Sequence, residues 1–429
     1  MKKKSLNVIT LGCSKNLVDS ERILGQLPAG KFKLSHDADG PADIVIINTC
    51  GFIKDAKEES IDTILQYVEA KKQGLVEEVI VTGCLSQRYK EELQKEIPEA
   101  DAWFGARDQE DLFEYLSQKY SRESGKRYLT TPSHFAYLKI AEGCDRTCSF
   151  CAIPMIRGAF RSRSIESLVE EARDLAAKGV KELLLVAQDL SYYGYDFQRK
   201  PLLANLLEEL SKVEGVEWIR LHYAYPKNFP ENVIPIMATS PKVCRYLDIP
   251  VQHISDRILK AMRRGHDKKD TLHLLEKFRR HIPGVALRTT LMVGFPGETP
   301  EEFEELLDFV KLARFERLGV FTYSPEEGTT AFPLGDPIPE KEKERRAAQL
   351  MELQAEISGS LNEEKIGKTF KVLIDREEGE YFIGRTEFDS PEVDNEVLVE
   401  KAAGTKEGNF VNVAITSATD FELFGNIVV

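Results

Sequence analysis

The sequence predicts an α/β protein in three parts: an N-terminal doubly wound α/β domain over residues 1–120, a central partial (β/α)6 barrel over 130–363 and a small antiparallel β-barrel over 364–429. Three observations carry this. Near-continuous apolar runs alternate with amphipathic helical stretches up to residue 314, as parallel strands buried on both faces alternate with crossover helices. Six of the seven cysteines fall beside predicted strand ends, where open α/β folds bind ligands. After Gly367 the alternation gives way to short strands separated by Gly-containing turns.

Residues 6–12 read as the first strand, and a helix is expected from about Leu17 to Leu27. Asp43–Asn48 is a buried-strand run, followed by a helix from about Asp55 to Lys72; Val79–Thr82 is the third strand, with a helix from Ser86. This βα alternation argues a doubly wound domain. Tyr120–Pro132 is polar, contains Gly125 and reads as a linker. Six strands then follow, Phe135–Ala141, Glu182–Ala187, Trp218–Leu221, Tyr246–Ile249, Ala286–Val293 and Leu318–Tyr323, with helices near 164–178, 201–213, 255–263, 269–281 and 300–314. Six such units suggest a partial barrel whose site lies at the carboxyl ends of its strands. Pro339 to about Glu364 is a charged helix, read as a solvated face joining domains. Phe370–Ile374, Tyr381–Arg385, Glu396–Val399 and Asn412–Ile415 are the expected strands of the last module. From Glu363 to Val429 there are 15 acidic and 7 basic residues, a net charge of −8.

Over 429 residues the formal net charge is −13, with 42% hydrophobic and 30% charged residues. Bulk electrostatic binding of nucleic acid is disfavoured by that balance, because phosphate contacts need clustered Lys and Arg. No apolar run is long enough to span a bilayer, and the basic start runs into one short strand rather than a signal h-region. Seven cysteines without a secretory signal point to reduced thiols in a cytoplasm, used for metal or catalysis.

The thiols form two sets. Cys144, Cys148 and Cys151 lie within eight residues, so one loop can wrap three thiolates around a single centre. A cubane cluster on three cysteines keeps one iron open to a small molecule, whereas a structural zinc site closes all four positions. Cys13, Cys50 and Cys84 each fall one or two residues beyond the carboxyl end of an expected strand, and could converge on a second metal site. A zinc knuckle, or three small buried thiols, is the competing reading at this point.

The three-then-two spacing, with Phe150 just before the last cysteine, resembles the signature of the radical S-adenosylmethionine superfamily. Leu11-Gly12-Cys13-Ser14-Lys15-Asn16-Leu17-Val18-Asp19-Ser20-Glu21, Asn48-Thr49-Cys50-Gly51 and Thr82-Gly83-Cys84 resemble the N-terminal domain of the methylthiotransferases. Tyr137 through Cys144 to Arg157-Gly158 resembles their radical core, and the last module their TRAM domain. The resemblance implies two 4Fe-4S clusters, an auxiliary one on Cys13, Cys50 and Cys84 and one on Cys144, Cys148 and Cys151 that binds S-adenosylmethionine. It implies conversion of C–H to C–SCH3 through a 5′-deoxyadenosyl radical, with an electron donor such as flavodoxin or ferredoxin. Gly12-Cys13-Ser14-Lys15-Asn16 resembles the RimO-type branch, which acts on the β-carbon of an aspartate in a small-subunit ribosomal protein. The branch acting on tRNA adenosine typically carries Gln-Met in place of Ser-Lys, and an acidic last module suits a basic protein better than tRNA as primary substrate. A non-catalytic iron–sulfur or zinc scaffold is the alternative of another class.

Gln188, Gln252 and Arg288 are candidate contacts for S-adenosylmethionine, Arg288 through the ligand carboxylate. Each is equally readable as a polar residue satisfied at a strand end. Gly294 and Gly297 mark a tight turn, Cys244 a buried structural thiol, and His253 and His266 structural histidines. Tyr192-Tyr193-Gly194-Tyr195 either faces substrate or packs its own loop.

Overall fold

A computed structural model describes residues 3–121 and 124–428. Strands β1 (Lys4–Thr10), β2 (Phe32–His36), β3 (Ala42–Thr49), β4 (Val76–Gly83) and β5 (Ala102–Trp103) form one parallel sheet in the order β2-β1-β3-β4-β5. Its apolar runs are buried on both faces. Leu6, Val8, Ile44 and Ile46 meet Ile23, Leu24 and Phe113 on one side; Val45, Ile47, Val79 and Val81 meet Ile64 and Val68 on the other. The two edge strands, β2 and β5, were not expected. The order doubles back between β1 and β3, so the strands that precede Cys13, Cys50 and Cys84 are immediate neighbours. Three thiols far apart in sequence are thereby brought to one edge of the sheet.

The central domain begins with β6 (Phe135–Lys139), then a short antiparallel pair of two-residue strands, β7 (Ala141–Glu142) and β8 (Arg161–Ser162), which flanks the cysteine loop. The expected strand through Ala141 is therefore broken after Lys139. Strands β9 (Glu182–Val186), β10 (Trp218–Leu221), β11 (Val243–Asp248), β12 (Ala286–Val293) and β13 (Arg317–Thr322) complete a parallel sheet in the order β6-β9-β10-β11-β12-β13. It is the open six-unit barrel expected. Ala136, Leu138, Leu183 and Leu185 pack outward among the helices. Phe135, Tyr137, Leu184 and Val186 face the lumen, where Leu17 and Val18 of the N-terminal helix Ser14–Gln26 pack against them.

Two segments read as solvated turn out to be packed. The helix Glu340–Glu363 lies against β13 and the helix Pro300–Ala313, and buries Lys343, Arg346, Leu350 and Gln354. Lys343 Nζ donates to Tyr323 O at 2.9 Å and Arg346 pairs with Glu298 at 2.7 Å, so charge in the sequence hides an internal face. In the expected linker, Arg127 is fully buried between Glu21 and Glu171. No described helix is long and apolar enough to cross a membrane.

The last module is a closed barrel of β14 (Thr369–Glu378), β15 (Tyr381–Thr386), β16 (Glu396–Glu400), β17 (Phe410–Ala418) and β18 (Glu422–Val428), ordered β14-β15-β16-β18-β17. It has a fifth strand, and β16 and β18 pair in parallel rather than antiparallel. Leu373, Phe388 and Phe410 pack on Trp218, Cys244, Tyr246 and Ala286 of the central barrel. Around this apolar seam Asp389 pairs with Arg317, Asp394 with Arg288 (3.3 Å), Glu387 with Arg245 (2.8 Å) and Asp375 with His134 (2.8 Å). Part of the acidic surplus is thus consumed inside the molecule.

Candidate active site

Cys13 lies three residues past β1 and is the residue before the helix Ser14–Gln26; Cys50 directly follows β3; Cys84 directly follows β4 and opens the helix Cys84–Glu96. Helix N-termini carry unpaired N–H groups and favour an anionic thiolate. Desolvation by the surrounding protein would raise the Cys13 thiol, but the charges of Lys15 and Arg157 outweigh it and lower the pKa. Burial dominates at the other two, raising Cys50 and pushing Cys84 up to about 11. Gly12 has φ +90°, and a Cβ there would stand 2.7 Å from Cys50 Cβ and 2.8 Å from its Sγ. Only glycine leaves that space. Asn16 secures the strand ends, its Nδ2 donating to Leu11 O (2.8 Å) and Thr49 O (3.1 Å).

Cys144, Cys148 and Cys151 line a cavity of about 490 Å³ together with Arg146, Met155, Arg263 and Thr329. Its loop is fixed at several points. Ser149 N donates to Met262 O (3.0 Å), Ala331 N donates to Ser149 O (2.8 Å), and Phe150 packs beside Met262, Phe295 and Tyr323. Arg264 donates to Cys148 Sγ (3.3 Å), and Arg146 N to Cys144 Sγ (3.4 Å). Burial pushes Cys144 up to about 11 and Cys151 up to about 12.

The two cysteine sets are tied together by Arg157, at the end of the short helix Ile153–Arg157 that follows Cys151. Its buried guanidinium donates to Asp19 Oδ2 (2.6 Å), Glu142 Oε2 (3.2 Å), Asn16 Oδ1 and Cys84 Sγ (3.2 Å). Cys84 itself packs against Ala152 and Ile156. Lys139 joins the same group, bonded to Asp19 and, at 2.6 Å, to Glu142. Burial would raise the Glu142 carboxyl, but Lys139 and Arg157 hold it well below the usual range. Arg157 was not singled out in the sequence; its position six residues past Cys151 gave no sign that it reaches the other set.

Gln188 Nε2 donates to Glu142 Oε1 at 2.8 Å, while its own buried Oε1 has no partner. Gln252 takes a left-handed φ of +72°, held by backbone bonds to Thr290 O (2.9 Å) and from Met292 N (2.8 Å). Such strain in a non-glycine residue is characteristic of ligand-facing positions. Arg288 is ion-paired with Asp248 (3.2 Å) and Asp394 (3.3 Å). His253 and His266 are buried and use Nδ1 locally, on Ser255 N (3.0 Å) and Thr271 Oγ1 (3.0 Å). Tyr192 stacks on Tyr195 with ring centres 5.1 Å apart, and Tyr193 is buried with its hydroxyl on Arg163 O. Gly294 and Gly297 both have positive φ in the turn after β12, and Cys244 is buried in the seam with the last module.

Family models match the chain in three segments: the radical SAM superfamily over residues 138–310, the uncharacterized protein family UPF0004 over 5–105, and the TRAM domain over 366–428. The chain is 57% identical to the ribosomal protein uS12 methylthiotransferase RimO of Christiangramia forsetii, over 99% of this chain and 94% of that protein. It is 55% identical to the protein of the same name from Flavobacterium johnsoniae (99% and 98% covered), and 52% identical to that of Bacteroides thetaiotaomicron (100% and 99%). Among solved structures, the radical S-adenosylmethionine methyltransferase TsrM from Kitasatospora setae shares the fold, with a TM-score of 0.56 at 14% identity over 77% of this chain and 74% of that one. The chain belongs to the RimO family of ribosomal protein uS12 methylthiotransferases, within the radical SAM superfamily.

Proposed function

We propose that this chain converts a C–H bond on the β-carbon of an aspartate in ribosomal protein uS12 into C–SCH3. In this reading residues 1–120 carry an auxiliary 4Fe-4S cluster on Cys13, Cys50 and Cys84. Residues 130–363 carry a second on Cys144, Cys148 and Cys151, open at one iron to S-adenosylmethionine, and 364–429 form the TRAM module. The observation that supports it is the Arg157 contact: a side chain six residues past the second set bonds to Cys84 of the first across the boundary between the two domains. The donor chemistry fits, because each set offers three soft thiolates and no fourth. Among the described residues no three His, Cys, Asp or Glu side chains are gathered tightly enough for a single metal ion. A cluster accepts its thiolates spread around its own faces.

Bound there, the clusters and S-adenosylmethionine would supply the electron, the radical and the methylthio group; the chain supplies orientation and exclusion of water. Gln252 and the unpartnered Oε1 of Gln188 are the proposed contacts to S-adenosylmethionine. For Arg288 the same role requires exchange of Asp248 or Asp394 for the ligand carboxylate. An external donor of the flavodoxin or ferredoxin type would reduce the cluster in a cytoplasm. The primary substrate is the protein, not tRNA.

The test is anaerobic reconstitution, iron and acid-labile sulfide analysis, and intact-mass measurement of uS12 after incubation with S-adenosylmethionine and reductant. One methylthio group on uS12 is expected. A chain with Ala at Cys13, Cys50 and Cys84 is expected to keep about half the iron and cleave S-adenosylmethionine without modifying uS12. Methylthiolation of tRNA with uS12 untouched would overturn the substrate, and stoichiometric zinc without sulfide would overturn the chemistry.

A further inference from the structure

Lys15 is the second residue of the helix Ser14–Gln26, two places past Cys13. Leu17 and Val18 seat this helix in the lumen of the central barrel, so the residues just before them stand at its mouth. The Lys15 ammonium lies 3.4 Å from the centre of the Tyr223 ring. Tyr223 stands two residues past β10 in a left-handed conformation (φ +64°). Its N–H donates to Asp248 Oδ2 (3.2 Å), and its carbonyl accepts from Leu190 N (3.1 Å). These bonds fix an otherwise strained backbone and hold the ring under the ammonium.

The other buried or half-buried cations around the mouth are spoken for. Lys139 and Arg157 share Asp19 and Glu142, Arg146 pairs with Asp189, and Arg288 pairs with Asp248 and Asp394. Arg264 bonds to Cys148 Sγ and Pro250 O. Asp248, the carboxylate beside Tyr223, has one oxygen on Arg288 and the other on the Tyr223 N–H. Lys15 makes no ion pair with any described carboxylate. It is half-buried and carries three donors; Tyr223, Cys13 and Asp248 are the groups that face it, and Asp248 is not within ion-pair distance.

We infer that Lys15 receives the side-chain carboxylate of the substrate aspartate, with Tyr223 as the platform that holds the ammonium at the mouth between the two cysteine sets. The inference rests on the proposed function and adds to it the group that recognises the modified side chain. An ammonium held this way discriminates a carboxylate from an amide, because an amide leaves it without a counter-charge. The competing role for Lys15 is only to offset negative charge around Cys13.

A double-mutant cycle separates the two on the reconstituted full-length protein. Binding is measured for uS12 and for uS12 with the target aspartate changed to Asn, against wild type, Lys15→Met and Lys15→Arg. Wild type is expected to prefer the aspartate form by about tenfold, as charge-assisted pairs do. Lys15→Met should bind both forms alike with its iron content unchanged, and Lys15→Arg should retain part of the preference. Lys15→Met that keeps the full preference overturns the inference. Should Lys15→Met lose iron, zero-length carbodiimide coupling of wild type to uS12 decides: a Lys15–aspartate amide supports the pairing, and coupling at other lysines alone overturns it. If wild type neither binds nor modifies uS12 but does modify tRNA, the proposed function fails and the inference with it, a result distinct from lost preference in an active enzyme.

Discussion

Gly12 shows how tightly the N-terminal cysteine set is built. Its φ of +90° lies where L side chains are strained, and the space a Cβ would take is filled by Cys50. Gly12→Ala must therefore move Cys50 or the start of the helix that carries Cys13, and so disturb the site proposed for the auxiliary cluster. The variant is expected to fold, because the clash lies at a loop, and to reconstitute with about half the wild-type iron. Iron analysis beside cluster spectra checks it; full iron in both sites would show that the loop yields without loss. The gathering of Cys13, Cys50 and Cys84 at one edge of the sheet was legible in the sequence, since strand ends can be located from apolar runs. Arg157 and the Lys15–Tyr223 pair were not, because each joins residues of separate domains and depends on how the helix Ser14–Gln26 docks in the barrel.

At the scale of elements, Glu171 on the helix Ile165–Ala177 gathers Arg163 (2.6 Å), Arg127 (3.1 Å) and Arg22 (3.3 Å). It thereby pins the segment around Arg127 and the helix Ser14–Gln26 to the central barrel. This is why Tyr120–Pro132, polar enough to read as a linker, is in part internal structure; burial through ion pairing has no local signal in sequence. The same blindness applies to the helix Glu340–Glu363, whose buried Lys343 and Arg346 look like any solvated charge. Edge strands β2 and β5 escaped because they are short: β5 has two residues, and β2 has only Phe32 and Leu34 as apolar residues. Burial would raise the Glu171 carboxyl, but Arg163, Arg127 and Arg22 lower it to about 2 from an ordinary value of 4.5. The folded pKa lies below the unfolded one. The contribution is therefore complete above about pH 4.5 and is lost as pH falls toward about 2, of order 3 kcal/mol in all. Glu171→Gln is expected to be less stable at neutral pH by about 3–5 kcal/mol, since it strands buried arginines. Its urea midpoint should also fall less than that of wild type between about pH 6 and about pH 3.5, measured on cluster-free protein.

For the whole molecule, the question is whether the C-terminal barrel is a detachable substrate grip or part of the catalytic body. Its acidic composition suggested an outward face for a basic protein, yet Asp375, Glu387, Asp389 and Asp394 are engaged with His134, Arg245, Arg317 and Arg288. Glu182 at the amino end of β9 and Arg220 within β10 are likewise bonded into the module, through Arg385 (2.7 Å) and Glu387 O (2.7 Å). The module closes the barrel floor, opposite the carboxyl ends where the cysteines lie. A chain ended at Glu363 would uncover Trp218, Cys244, Tyr246 and Ala286, leave Arg317 without its counter-charge, and take Asp394 from Arg288 and the Glu387 carbonyl from Arg220. Exposing that seam removes on the order of 5 kcal/mol of apolar burial, comparable to the whole stability of many domains. The shortened chain is expected to aggregate, or to bind iron poorly, rather than to behave as an active enzyme with weakened substrate affinity. Size-exclusion chromatography and S-adenosylmethionine cleavage without uS12 distinguish the cases: a monomeric, iron-loaded, cleaving fragment would mean that the floor is dispensable and that the barrel serves only to hold the substrate.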